Sequence, residues 1–261
     1  MDKDRIDRTC GVLLLFEGGK RPDAQAIRKI VDKLDHVSIS HDPVENLKIE
    51  QADASAKQRA ASWLELLDNG MTYDLVGLAP GAQANFPVIN HRKYLPEGFL
   101  ESTCEAVGLL PGPHISGGFS SLPVVRGLLS LAADLTAAHT PVRAICWPPA
   151  ANVVGVEFFR TSAEGWKNGG PFPARVLAGF KPMADGGLQS EGLAHFTGQE
   201  IRIEPGSVGD YPTAELLAAR LIQQLAQYGP LTGTEEVTAP DGSQMRLEPS
   251  GNGKFVRVWQ N

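Results

Sequence analysis

The chain has few of the features that mark a secreted or catalytic protein, and cysteine is the clearest case. Three cysteines occur in 261 residues, and Cys10, Cys104 and Cys146 are too far apart to form a Cys-x-x-Cys pair. An odd and sparse cysteine count is typical of a reducing compartment. We therefore expect all of these cysteines to be free thiols.

Long apolar runs are also missing. The early apolar run at residues 12–16 is short, Asp2, Asp4 and Asp7 precede it, and Glu17 follows it at once. A secretory signal needs a longer apolar region behind a positively charged start, and a membrane-spanning helix needs roughly 18 apolar residues. The sequence therefore predicts a cytoplasmic protein that makes no membrane contact.

Clusters of positive charge are absent as well. The formal net charge is −6, and the densest basic runs are the pairs Arg28-Lys29 and Arg92-Lys93. Affinity for nucleic acids comes mostly from neutralising many phosphates with Lys and Arg. The composition therefore predicts that nucleic acid is not a partner.

Signatures of nucleophilic and phosphate chemistry are incomplete. Ser190 has Gly192 behind it, but Leu188 occupies the first glycine position of a Gly-x-Ser-x-Gly elbow. Gly253-Lys254 is followed by an aromatic residue and not by the Ser or Thr of a phosphate loop. We predict no catalytic residue and no cofactor.

The histidines and cysteines do not predict a reactive site either. His36 and His41 lie at an odd separation, which puts them on opposite faces of a regular strand, so they do not share a metal ion. Cys146 lies in an apolar run and is expected to be buried and inert. Cys104 is expected to be exposed, with neighbouring carboxylates that raise its pKa.

The periodicity of apolar residues predicts alternating strands and helices. Predicted strands lie at 11–17, 36–40, 47–51, 73–78, 142–147, 175–180, 199–203, 245–248 and 255–259. Predicted helices lie at 22–34, 55–67, 123–138, 153–159 and 213–228, with Asn152 as a cap. Residues 79–120 are rich in Gly and Pro and are interpreted as long loops, which are unusual unless they carry function.

This order predicts an α+β fold. Residues 141–261 follow the order strand, helix, strand, strand, helix, strand, which is a ferredoxin-like βαββαβ unit. Residues 1–140 follow the same order only loosely. The halves are either two related α+β units, 1–140 and 141–261, or one continuous domain that shares a sheet, and the sequence leaves both open.

The best candidate site is the polar segment at residues 187–204, which we call the elbow. Within six residues it carries an acid/base group, a hydroxyl, an amide and a carboxylate, supplied by His195, Thr197, Gln199 and Glu200. His91, from the loops of 79–120, is the further candidate that could join them. The alternative is that Thr197 and Gln199 tie the turn to the backbone while His195 bonds locally. On a strand after the elbow, Ile201 and Ile203 face the core, and Glu200 faces solvent or a groove.

The second half resembles a bacterial family known only as a domain of unknown function, number 4261. The resembling segments are Ala144-Ile-Cys-Trp147, residues 175–180 and Glu191-Gly-Leu-Ala-His-Phe-Thr-Gly-Gln-Glu200, together with the helix that follows. They cover somewhat under half of the chain. The resemblance implies no activity, cofactor or catalytic residue.

Two functional hypotheses follow. The first is a non-catalytic protein that binds a protein partner or another copy of itself, because the fold pattern is well formed and no catalytic motif is assembled. The second is a small-molecule binder or hydrolase-type enzyme whose site lies between the 79–120 loops and the elbow. A deep pocket with convergent polar groups and perturbed ionisable residues favours the second hypothesis, whereas a flat apolar patch larger than roughly a few hundred Å² favours the first.

Overall fold

A computed structural model describes residues 11–46, 62–138, 141–239 and 242–260 of the chain. It shows an α+β protein with helices and two sheets. Contacts divide the chain into two compact units. The first lies within residues 1–88, 92–148 and 153–169, and the second within 89–91, 149–152 and 170–261. Residues 141–148 and 153–169 thus belong to the first unit, whereas the two-unit alternative from the sequence placed them in the second.

The first unit contains an eight-stranded sheet. The first residues of β5 and β8, His91 and Asn152, are assigned to the second unit. The elements are β1 (Val12–Glu17), α1 (Ala24–Val31), β2 (Val37–His41), α2 (Pro43–Asn46), β3 (Trp63–Asp68), β4 (Met71–Val76), β5 (His91–Lys93), β6 (Cys104–Pro111), α3 (Leu122–Ala138), β7 (Val142–Trp147), β8 (Asn152–Gly155) and α4 (Val156–Lys167). The strand order is β2-β3-β4-β6-β1-β7-β8-β5.

The core of the first unit lies around β1. This strand is antiparallel to both β6 and β7, and residues 12–16 are all buried. A strand covered on both faces has a continuous apolar run, which is why the sequence predicted it. The predicted stripe of α3 is confirmed, because Val124, Leu128, Leu131 and Leu135 are all buried.

The sequence prediction for residues 79–120 was wrong at its centre. The segment includes β6, an eight-residue strand between β4 and β1 whose residues 106–111 are all buried. Gly108 and Pro111 made this strand look like a loop. Proline is tolerated at a strand end, and Gly108 lies so close to Val76 that an added Cβ would be 3.1 Å from its Cγ2.

The predicted helix at 55–67 was also wrong at the residues that the structure describes as a strand. Residues 63–67 lie in β3, where Leu64 and Leu66 are buried and their neighbours are half-buried. Short apolar runs fit either a helical stripe or a strand. Residues 55–61, and the predicted strand at 47–51, lie outside the described residues.

The second unit contains a six-stranded sheet. Its elements are α5 (Ala174–Leu177), β9 (Gly179–Pro182), β10 (Leu188–Glu191), α6 (Ala194–Thr197), β11 (Glu200–Ile203), α7 (Tyr211–Tyr228), β12 (Glu235–Thr238), β13 (Gln244–Pro249) and β14 (Phe255–Gln260). The strand order is β12-β13-β14-β11-β10-β9, in which β11 and β14 run parallel. One face carries the buried residues Ile201, Ile203, Leu247, Val256 and Val258.

Three predictions about the second half need correction. The strand at 142–147 is β7 and pairs with β1, so it does not share a sheet with 199–203 as the ferredoxin-like prediction required. The predicted strand at 175–180 is α5 followed by β9. The predicted helix at 153–159 starts only at Val156, behind the buried strand β8.

The helix α7 agrees with its prediction. Asp210 accepts a hydrogen bond from the N–H of Thr213 at its start, and Gly229 with φ of 95° ends it. No helix in the described part of the chain is both long enough and apolar enough to cross a membrane.

Candidate functional site

The elbow folds as β10, the single turn α6 and β11. Gly198 ends α6 with φ of 76°, a left-handed conformation that favours glycine. Ile201 and Ile203 are buried as predicted, at 0% and 2% exposure. The elbow is therefore fixed to the core through β11, and its polar residues occupy the turn in front of that strand.

Glu200 serves as the acceptor for the start of α6. Its Oε1 accepts from the N–H groups of Gly192 (2.8 Å) and Ala194 (3.0 Å), and its Oε2 accepts from the N–H of Leu193 (3.2 Å). The hydroxyl of Ser190 donates to Oε2 at 2.5 Å. The first N–H groups of a helix lack intrahelical partners, and a carboxylate stabilises them. Glu200 thus caps its own turn, and its side chain is half-buried.

Gln199 and Thr197 also bond to the backbone. The Nε2 of Gln199 donates to the carbonyl of Leu231 (2.9 Å), and the N–H of Leu231 donates to Oε1 (2.8 Å). Gln199 is buried, at 5% exposure. Thr197 Oγ1 lies 3.2 Å from the carbonyl of Gln199 and accepts from its N–H at 3.2 Å. These contacts agree with the alternative in which the two side chains hold the turn.

His195 lies in an aromatic cluster at the surface. Its ring is half-buried and meets the ring of Phe196 edge to face, with centroids 4.9 Å apart. Phe196 in turn meets Phe172 edge to face at 5.3 Å. Such arrangements are favourable for aromatic rings, so packing between rings contributes to the position of His195.

His91 reaches the elbow at a residue that the sequence did not single out. Its Nε2 lies 2.8 Å from Oε2 of Glu191, and the side-chain amide of Asn90 donates to the same carboxylate at 3.0 and 3.2 Å. The N–H groups of Asn90 and His91 both donate to the carbonyl of Ala151. These bonds hold a three-residue segment within the second unit.

Gly179 is required beside His91. A Cβ at this position would collide with the imidazole ring, which is itself 8% exposed. Glycine therefore lets the buried histidine approach the β9 backbone.

The structure thus separates the predicted site residues into distinct contacts. Glu200, Gln199 and Thr197 each bond to the turn or to neighbouring backbone, and His91 bonds to Glu191. Asn90 and Glu191 were missed, and Ser190, considered in the sequence only as a nucleophile, donates to Glu200. The only signal for Glu191 was its place in the elbow, and the only signal for Asn90 was its position next to His91. Whether any of them binds a ligand stays a prediction.

Asn152 does not cap a helix as predicted. It is fully buried in the second unit, and its amide donates to the carbonyls of Arg175 (3.1 Å) and Val176 (2.9 Å). Its role is to hold α5 against the segment at 149–152.

The described residues contain no group of three or more His, Cys, Asp or Glu side chains that could hold a metal ion. Burial raises the pKa of the Cys146 thiol to about 12 and also raises the pKa of Cys104. Cys104 is buried in β6, so the expectation that it is exposed was wrong. Both are unpaired thiols, and burial keeps them protonated and unreactive near neutral pH. Cys10 lies outside the described residues.

A second candidate site lies on the exposed face of the six-stranded sheet, and we call it the arginine–tryptophan strip (Arg246, Arg257 and Trp259). Arg246 on β13 lies directly opposite Trp259 on β14, and Arg257 is two residues before Trp259. The guanidinium carbons of Arg246 and Arg257 lie over the indole ring, 4.9 and 4.7 Å from its centroid. Both arginines are exposed, and Trp259 is half-buried.

Acidic residues flank the strip. Arg257 Nε donates to Oε1 of Glu204 at 2.5 Å, and this bond raises the pKa of Arg257. Glu236 lies opposite Arg246, and Glu248 lies opposite Arg257. The face therefore combines arginine donors and an aromatic ring with interspersed carboxylates.

Comparisons of this chain with known protein families, with curated proteins and with solved structures found no match.

Proposed function

We propose that the protein is a non-catalytic module that binds a protein partner through the exposed face of its second sheet. The observation that carries this proposal is the placement of two exposed guanidinium groups over the ring of Trp259. Tryptophan and arginine are, with tyrosine, the residues enriched among those that dominate binding energy at protein interfaces.

The chemistry of the elbow supports a non-catalytic role. The carboxylate of Glu200 accepts three backbone N–H groups and a hydroxyl, and Gln199 uses both its donor and its acceptor on Leu231. A general acid or base needs an atom within hydrogen-bond reach of a substrate proton. Groups already engaged with the backbone are poorly suited to that task.

The burial pattern of the sheet supports the choice of this face. Along β13 and β14, Met245, Leu247, Val256 and Val258 are buried, whereas Arg246 and Arg257 are exposed. Alternation of this kind gives one core face and one accessible face. The accessible face carries the strip at its centre, since β14 has two strands on one side and three on the other.

Affinity capture with the full-length chain tests the proposal. We expect a protein identified by mass spectrometry with the wild type to be lost with Trp259→Ala, because removal of a central interface tryptophan removes a large share of the binding energy. The matched control is Tyr228→Ala, which removes an aromatic residue of the same unit that is 78% exposed. The control should retain the protein.

Two results would contradict the proposal. One is equal recovery of every protein with both variants, once thermal unfolding shows that both are folded. The other is that affinity capture recovers only the chain itself, while light scattering shows a rise in mass that is lost with Trp259→Ala. That result would mean that the partner is a second copy of the chain.

The alternative function is small-molecule binding at Asn90, His91 and Glu191. A specific observation favours it: a nearly buried imidazole faces a carboxylate whose side chain is 38% exposed. Histidine beside a carboxylate is a common acid/base arrangement. The discriminating experiment is a metabolite screen by thermal shift, in which a hit that disappears with His91→Gln but persists with Trp259→Ala would favour this alternative.

A further inference from the structure

We infer that four side chains of the first unit form a pH-sensitive latch that fastens the edge strand β2. The latch comprises His36, Asp68, Asp134 and Lys167. Uptake of one proton by this cluster holds the start of β2 in place, and loss of that proton loosens it. The latch belongs to the first unit, whereas the proposed partner site lies in the second.

The imidazole of His36 lies between two carboxylates. Its Nε2 is 3.1 Å from Oδ2 of Asp134 and 4.0 Å from Oδ1 of Asp68. A second cation is Lys167, whose Nζ is 3.6 Å from the same oxygen of Asp134. His36 precedes β2, and Asp68 ends β3. Asp134 lies in α3, and Lys167 ends α4. The cluster therefore joins the start of β2 to the neighbouring strand and to both helices.

The balance of charge in the cluster depends on one proton. With a neutral imidazole, two carboxylates face a single ammonium group, and one negative charge is left over. The side chain of Asp68 is only 2% exposed, whereas that of His36 is 36% exposed, and a buried charge is unfavourable unless it is paired. Tyr73 on β4, a further titratable group beside Asp68, stays neutral because burial and the Asp68 charge both raise its pKa. One added proton makes the cluster neutral, and among coupled groups this proton belongs to the cluster as a whole.

The neighbours of Asp68 set the direction of the response. Burial has the largest effect on the pKa of Asp68 and raises it, and the charge of Asp134 raises it further. The charges of His36 and Lys167 lower it, as does the hydrogen bond that the Asn69 amide donates to Oδ1 at 2.7 Å. The net shift is upward. The closed cluster therefore keeps a proton at a pH where the opened carboxyl has lost it. The closed form is favoured as the pH falls, and this advantage is lost as the pH rises above the ordinary carboxyl value of about 4.

The strand that the latch fastens lies at the outside of its sheet. β2 is the first strand in the order of the eight-stranded sheet and, within the described residues, pairs with β3. Its residues 38 and 40 are exposed. Val37 lies opposite Asp68 in the register, so the latch acts at the first paired residue of the strand. Segments with few buried side chains open locally at a lower free energy than the core does. Release of the latch therefore frees the start of an edge strand.

Hydrogen exchange of the full-length chain at a series of pH values tests the latch. We expect the protection factors of residues 37–41, corrected for the intrinsic effect of pH on exchange, to fall about threefold to tenfold between about pH 4 and pH 8. This fall corresponds to a difference of roughly a half to one pKa unit between the closed and the opened cluster. Asp68→Asn should remove most of the fall, because it keeps the shape of the side chain and removes the buried carboxyl. His36→Gln, which keeps a donor and cannot take up a proton, should reduce the fall.

His114→Gln is the matched control. His114 is an exposed histidine of the same unit, and within the described residues its side chain forms neither a hydrogen bond nor an ion pair. The control therefore removes one imidazole from the unit without changing the latch, and it should show the same fall in protection as the wild type.

Three results would overturn the latch. The first is that the protection factors of β2 stay constant across this pH range in the wild type. The second is a fall that persists unchanged in both Asp68→Asn and His36→Gln. The third is that β2 and the buried strand β1 have equal protection factors at every pH, which would mean that β2 opens only when the whole unit unfolds.

Discussion

Replacement of Gln199 by Ala should be among the most destabilising polar substitutions in the second unit. The side chain is 5% exposed, and it satisfies both the N–H and the carbonyl of Leu231, which is itself 5% exposed. Each backbone group left buried without a partner costs about 1–3 kcal/mol. For both groups together we expect a loss of about 2–6 kcal/mol in the free energy of unfolding, reduced to the extent that water enters the space.

Two measurements check this expectation. Urea unfolding gives the change in free energy, and hydrogen exchange of the Leu231 amide reports the lost acceptor directly. The matched control is Gln189→Ala on the neighbouring strand β10, where the glutamine is half-buried and forms no side-chain hydrogen bond within the described residues. The control should change the free energy by about 0.5 kcal/mol or less. Equal effects of the two substitutions would refute the argument that Gln199 is a structural clamp.

Further predictions concern the buried side chain of Ile201, the close contact between Gly179 and His91, and the buried carboxyl of Asp68. Ile201→Ala should cost about 2–5 kcal/mol because the side chain is fully buried, whereas His195→Ala should cost far less. Thermal unfolding of the two variants measures both losses of stability, and a loss with His195→Ala equal to that with Ile201→Ala would make His195 a core residue. Gly179→Ala should cost about 1–3 kcal/mol by overpacking against His91, and a double-mutant cycle in urea with His91→Ala should show that the two losses are not additive. Asp68→Asn should be more stable than the wild type at pH 7, because burial raises the pKa of Asp68. When a carboxyl has a higher pKa in the folded protein than in the unfolded chain, the folded protein becomes less stable as the pH rises above the unfolded-state pKa. The stability advantage of Asp68→Asn should therefore vanish below about pH 4, which urea unfolding at a series of pH values measures. A stability advantage of Asp68→Asn that grows as the pH is lowered would contradict this expected pH dependence.

Long and strongly periodic elements could be predicted from the sequence. The helices α3 and α7 and the strand β1 were all found, because a wide apolar stripe indicates a helix and a continuous apolar run indicates a buried strand. The burial of Ile201 and Ile203 also followed from simple alternation.

Strands that contain or end at Gly or Pro could not be predicted reliably. β6 contains Gly108 and ends at Pro111, and β8 ends at Gly155. At these positions tertiary contacts override local preference. The sheet that a strand joins is likewise a long-range property, which is why 142–147 was placed in the wrong sheet.

The candidate site shows the same limit. The sequence identified the elbow as polar but not the partners of its side chains, because Leu231 lies 32 residues from Gln199 and His91 lies 100 residues from Glu191. The strip was missed for a different reason. Arg246 and Trp259 are separated by a hairpin, and only the register of β13 on β14 brings them together.

The central claim is that the exposed face of the second sheet, and not the elbow, is where the protein binds its partner. Hydrogen–deuterium exchange of the full-length chain, with and without the captured partner in purified form, tests this most directly. We expect protection concentrated in residues 244–248 and 255–260. Protection concentrated at residues 90–91 and 190–200, with no change in β13 and β14, would contradict the claim and would place the functional site at His91 and Glu191.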